Sequence, residues 1–243
     1  MALEEIQKKR EVVESRARIR EFVFGIQDGL ISTVGLLAGV QGATENNLFV
    51  VITGLTSMFA GAVSMATGSY LSSTAQKQIF DKELREAEAL AEREPYLAAE
   101  GLLQALSQEG LKKEQSYRLV KLLAEERGIF LRTFQEKVFG LGTAEINRPF
   151  QAALVMGLSF VLGAVIPLLP YLLLSGMSAL YVSIVLAAVT LFSVGVFKGY
   201  LAARPLFFSG LEFFFIAVGA ALFGYLIGLV VQYLFPGIAV SVG

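Results

Sequence analysis

The sequence predicts an all-α, polytopic membrane protein with five transmembrane helices and a cytosolic helical insert between the second and third. Two observations carry that prediction. Only 17% of the 243 residues are charged, against 55% hydrophobic, and the charges are segregated where a soluble domain spreads them. Residues 22–44 hold one charge, Asp28, and residues 46–76, 150–197 and 213–243 hold none. Each of these runs is long enough to cross a hydrocarbon core of about 30 Å, for which about 20 residues suffice. The charged stretches between them show helical spacing, with no strand alternation and no internal repeat.

Taken in order, residues 1–21 are charged, helix-forming and without the apolar core of a cleavable signal. They read as a cytosolic amphipathic helix lying on anionic membrane lipid. Residues 22–73 hold the first two spans, at 22–43 and 48–71. Residues 74–148 form the insert, and residues 149–243 hold the last three spans, at 150–173, 177–200 and 211–234. The uncharged run from Phe150 is too long for one crossing. "PLLPYLLLSGMS" divides it, since Pro167 and Pro170 remove helix donors and Ser175-Gly176 form a turn. In the insert, Pro95 suits a first helical turn and Gly110 a stop, so "PYLAAEGLLQALSQEG" reads as one helix. "KKEQSYRLVKLLAEERGIFLRTFQEKVFG" reads as another, with Leu119, Leu122, Leu123, Ile129 and Phe130 on its packing face.

Lysine and arginine predict the orientation. Six lie in residues 1–21, twelve between Lys77 and Arg148, and two at Lys198 and Arg204. Five spans put all three segments on one side. The N-terminus and insert are therefore expected in the cytosol, and the tail after Leu234 outside it, in a plasma membrane or the membrane of a vacuole-like compartment.

Composition narrows the chemistry. With no histidine and no cysteine, there are no disulfides, no thiolate ligands and no ordinary near-neutral proton carrier. No nucleophile–base pair is present, and the glycines sit inside apolar helices rather than in a phosphate loop after a strand, so an enzyme is not expected. Nor is a nucleic-acid partner, at a net charge of −1. No permanently bound cofactor is called for.

The first two spans remain. Span one, read at intervals of three and four, shows Gly25, Asp28, Ser32, Gly35, Gly39 and Gly42. Span two shows Gly54, Ser57, Gly61, Ser64 and Gly68, with Met58, Ala62, Met65, Ser69 and Ser72 on the adjacent face. Small residues let membrane helices approach closely, which accounts for the glycines by packing alone. Asp28 is different, because an aspartate at mid-bilayer costs roughly 2.5–3.5 kcal/mol on translocon scales, and such residues face a cavity, a partner or an ion. Were Met65 to face it, carboxylate and thioether together would suit a borderline ion such as Fe²⁺ better than Mg²⁺ or Ca²⁺.

The stretches "FGIQDGLISTVGLLAGVQGAT" and "GLTSMFAGAVSMATGSYLSSTAQ" resemble the vacuolar iron transporter family, and the likeness runs from about residue 20 to 234. It implies a homodimer with an ion path along the two-fold axis. By position, Asp28 and Met65 would be the path ligands, with Gly25, Ser32, Met58, Ser64 and Ser69 lining it. It also implies Fe²⁺ or Mn²⁺ as the transported substrate, exchanged for protons that Asp28 would accept. Two departures stand out. Ser69 occupies a position where the family commonly has glutamate. The insert lacks methionine, and its acids Glu86, Glu88, Glu92, Glu100 and Glu136 are out of phase with the family's metal-binding pattern, amid 13 acids and 12 bases between Lys77 and Arg148. These departures leave open a divergent member that has lost or changed metal transport and carries another solute or acts in membrane assembly or regulation.

Overall fold

Apolar, uninterrupted stretches fold here as helices because a backbone in lipid must satisfy its own hydrogen bonds. The structure, a computed structural model, describes residues 2–44 (side chains from residue 19), 46–141 and 148–235. Eight helices follow one another among these residues, and no strand: α1 (Ala2–Ala43), α2 (Asn47–Arg93), α3 (Pro95–Gln108), α4 (Lys113–Ala124), α5 (Arg127–Val138), α6 (Pro149–Leu173), α7 (Gly176–Leu201) and α8 (Leu206–Leu234). Five of them, α1, α2, α6, α7 and α8, contain stretches long and apolar enough to cross a membrane. Glu45, residues 1–18 and the tail beyond Phe235, which the orientation argument uses, lie outside the side chains described.

Two compact units form. The first comprises residues 1–70 and 149–243, the second residues 71–148. In the first, α1 packs along α6 on one side and α8 on the other, with α7 against α6, α8 and α1. Its core is built from Leu30, Val34, Leu37, Val50, Leu168, Tyr171, Leu180, Leu191 and Phe213. Burial is uneven: 56% of the apolar window of α6 is covered, but only 22% of that of α2 and 17% of that of α8. Those two helices keep faces that nothing among the described residues covers.

The glycine stripe of α1 finds backbone. A Cβ at Gly29 would strike the carbonyl of Phe160 on α6, and one at Gly39 would lie 3.0 Å from the carbonyl of Gly224 on α8. Reciprocally, Gly224 and Gly228 press on the carbonyls of Gly35 and Gly39. This is close small-residue packing, the membrane substitute for a hydrophobic driving force.

Three local readings differ from what the sequence predicts. Pro167 and Pro170 lie inside α6, and the chain turns only at Leu174–Ser175, with Gly176 at φ 63°. Both prolines are buried among the neighbouring helices, which accommodate such residues in membrane spans; Ser183 of α7 donates to the carbonyl of Pro167 at 2.7 Å. The helix that carries span two does not break at the start of the insert, because no breaker follows Gly68 and α2 continues to Arg93. The last predicted insert helix is two helices, parted at Glu125–Glu126 just before Gly128, a residue that weakens a helix interior.

In the second unit, Ala87, Ala91, Ala98, Leu102, Leu106, Val120 and Phe134 form a small core, joined by Leu123 and Phe130. Leu119, Leu122 and Ile129, expected on the packing face, are exposed instead, because the face that α4 buries runs through Ser116, Val120 and Leu123 and that of α5 through Phe130 and Phe134. The α3 end follows the predicted stop: Gly110 at φ 102° lets its N–H reach Ser107 O and that of Leu111 reach Leu106 O, the paired bonds of a Schellman cap.

Candidate functional site

Asp28 is held half-buried on α1, between glycines that draw the backbone against α6. Its carboxylate has no hydrogen-bond or ion-pair partner among the described residues, and Ser32 donates only to its backbone carbonyl, at 2.6 Å. An acid in an apolar span with no internal partner is energetically exposed. That is the feature a purely structural aspartate would lack.

The register of α2 against α1 follows from two contacts. Ser69 Oγ donates to Glu21 Oε2 at 3.3 Å, and a Cβ at Gly54 would lie 2.8 Å from Leu37 Cδ2. The helices therefore run antiparallel, residue 21 level with 69 and residue 37 with 54. At a rise of about 1.5 Å per residue, Met65 lies about 6 Å deeper than the Glu21–Ser69 contact. Asp28 lies about 10 Å deeper than it, on the face of α1 that carries Glu21, because seven residues are close to two full turns. Carboxylate, thioether and carboxylate are thus staggered down the α1–α2 pair, with Asp28 and Met65 about one turn apart in depth.

The remaining predicted residues divide between interior and surface. Gly25 is buried against Ser159 and Met156 of α6. Met58 is 4% exposed and packs with Phe160 and Ala164, and the half-buried Met65 rests against that same cluster. Ser32 and Ser64 are exposed, and Ser69 is half-buried. Sequence reasoning missed Glu21, which it placed in the charged N-terminal segment. The structure buries Glu21 to 8% exposure, beside Ser69 and with Arg20 Nη2 at 3.4 Å. Its seven-residue spacing from Asp28 was the signal available.

The five insert acids do not converge. Among the described residues no group of three acidic side chains is placed to hold a metal ion. Glu86 pairs with Lys82 at 3.5 Å and Glu92 with Arg127, while Glu88, Glu100 and Glu136 are exposed. The same pattern extends to Glu109, whose contact with Lys137 at 2.9 Å raises that ammonium above its ordinary pKa.

The profile of the VIT family matches residues 19–229. Vacuolar iron transporter 1 of Arabidopsis thaliana is 28% identical over 216 residues, covering 88% of this chain and 86% of its own length. Vacuolar iron transporter 1 of Oryza sativa subsp. japonica is 29% identical over 195 residues, 80% of this chain and 77% of its own. The vacuolar iron transporter of Plasmodium falciparum is 26% identical over 190 residues, 74% and 70% respectively. These relatives are named as transporters, not enzymes, and the matched region reaches into all five apolar helices. With its profile matched across most of its length, this multi-pass membrane chain belongs to the VIT family.

Proposed function

We propose that the protein is a homodimeric carrier of a divalent transition metal, Fe²⁺ or Mn²⁺, moving it out of the cytosol in exchange for protons along a path at the dimer axis. The single observation behind this is the carboxylate of Asp28, half-buried in an apolar span and unpartnered among the described residues. A travelling cation, or a proton in its absence, is the partner such a group lacks. Met65, one turn away in depth, adds a soft ligand that favours transition ions over Mg²⁺ or Ca²⁺. Two-fold symmetry would double each ligand, and the uncovered face of α2 with Ser64 and Gly68 gives that symmetry a place to act. The lysine and arginine bias supports an orientation with the N-terminus and insert in the cytosol.

Purified protein in liposomes should accumulate Fe²⁺ or Mn²⁺ when a proton gradient is imposed, and Asp28→Ala should abolish uptake. Wild-type uptake no faster than that of empty liposomes would refute the reading.

A second reading, a divergent member with altered metal transport, draws support from Ser69 and from insert acids that face lysine and arginine. It predicts that the full-length protein shows no insert-dependent metal binding, and that Ser69→Glu gives transport to a protein otherwise inactive.

A further inference from the structure

Buried polar side-chain atoms are nearly always hydrogen-bonded, so each exception calls for a partner. Among the described residues four such atoms have none: Gln41 Oε1, Asn47 Oδ1, Thr74 Oγ1 and Tyr171 Oη. Thr74 belongs to the second unit, and the other three stand at one end of the first. Leu37, Gly54 and Leu168 meet in one layer of the core. Gln41 lies about a turn beyond Leu37, Tyr171 about a turn beyond Leu168, and Asn47 two turns beyond Gly54 on the antiparallel α2. The faces that run apolar through Leu30, Val34, Val50 and Leu168 thus end in a polar layer at the α1–α2 turn.

What that layer lacks follows from the bonds it makes. Asn47 Nδ2 donates to the backbone carbonyl of Tyr171 at 2.9 Å, and Gln41 Nε2 to that of Thr44 at 3.3 Å. Turning either amide over would set oxygen against oxygen, so the unpartnered atom of each is an acceptor. The phenol of Tyr171, 1% exposed, can donate or accept. Three neutral oxygens are a weak set for a divalent ion, which is held chiefly by carboxylates. A small neutral molecule with two hydrogens to give and a lone pair to offer suits all three.

We propose that ordered water is bound between the ends of α1, α2 and α6, donating to Gln41 Oε1 and Asn47 Oδ1 and accepting from Tyr171 Oη. Buried waters typically make about three such bonds. Deeper in the unit, Gly54 and Gly61 hold α2 against Leu37, Leu168 and Phe160 by direct packing. Here water completes the contact, a hydrated clasp on the first turns of α2.

The site does not depend on the transport reading, and its test uses no transport. Tyr171→Phe decides the sign. Removing a hydroxyl that bonds water should lower the unfolding temperature of the detergent-solubilised protein by about 2–4 °C, the worth of one hydrogen bond in a chain of this size. Removing one that bonds nothing would raise it. Gln41→Leu loosens the same water, so in that background Tyr171→Phe should cost at most about half as much. Radiolytic hydroxyl labelling of the wild type reads the water directly, since a buried ring is oxidised where water lies against it. Corrected for intrinsic reactivity, Tyr171 should be labelled several-fold faster than Phe213, which is 2% exposed, and Gln41→Leu should remove most of that excess. A Tyr171→Phe protein as stable as the wild type or more so, additive losses in the double variant, or labelling of Tyr171 no faster than that of Phe213 would overturn the proposal.

Discussion

Among the described residues no donor reaches the Asp28 carboxylate, and burying it costs free energy that folding elsewhere must offset. Groups kept at such a cost belong to function, and removing them tends to stabilise. Asp28→Asn should therefore raise the unfolding temperature of the detergent-solubilised protein, on the order of 1 kcal/mol of added stability, while ending transport. Thermal unfolding monitored by circular dichroism reads the first and liposome uptake the second. An unfolding temperature that falls would mark Asp28 as a structural residue. The lone charge was visible in the sequence, and so was Met65, but Glu21 was not. Its charged neighbours disguised it, and only the approach of α2 distinguishes a buried acid from one lying in water.

The helices themselves were legible wherever a single physical rule governs them. Uncharged length marked all five apolar helices, Pro95 opened α3, and Gly110 closed it. Readings based on a residue's usual role were less secure. The prolines of α6 sit inside the helix, buried among its neighbours, and an amphipathic stripe assigned to one long helix was cut in two. The glycines of α1 turned out to serve helix–helix approach to α6 and α8. Gly29 is the most demanding of them, with the Phe160 carbonyl in the space a methyl would take and Ala164 N 3.0 Å from it. Gly29→Ala should part α1 from α6 and destabilise by about 1–3 kcal/mol, the usual cost of overpacking. At Gly68 nothing lies within 4 Å, so Gly68→Ala should leave the isolated protomer's stability unchanged. The same thermal scans compare the two.

For the whole molecule the open question is which face meets a second copy. The uncovered surface of α2 offers Ser64 and Gly68, small residues suited to close approach, and lies on the helix that bears Met65. The chain has no cysteine, so single thiols report without background. Ser64→Cys should cross-link into a covalent dimer under mild oxidation in membranes. Val185→Cys, on the exposed surface of α7, should stay monomeric. Cross-linking at 185 and none at 64 would move the symmetry axis away from α2 and with it the proposed path. Orientation is read the same way: a thiol at Ser178, exposed in the first turn of α7, should react with an impermeant maleimide from the non-cytosolic side only.

By itself the sequence determined that this chain lives in a membrane, how many apolar helices it has, and which charge is out of place among them. These follow from the cost of carrying charge and unpaired backbone into hydrocarbon, a cost paid residue by residue and so written along the chain. The tertiary structure alone decided which small residues pack and which remain uncovered, and that Glu21 and Ser69 share a hydrogen bond. Those depend on the register between helices far apart in sequence, which is set by the shapes of all their surfaces at once.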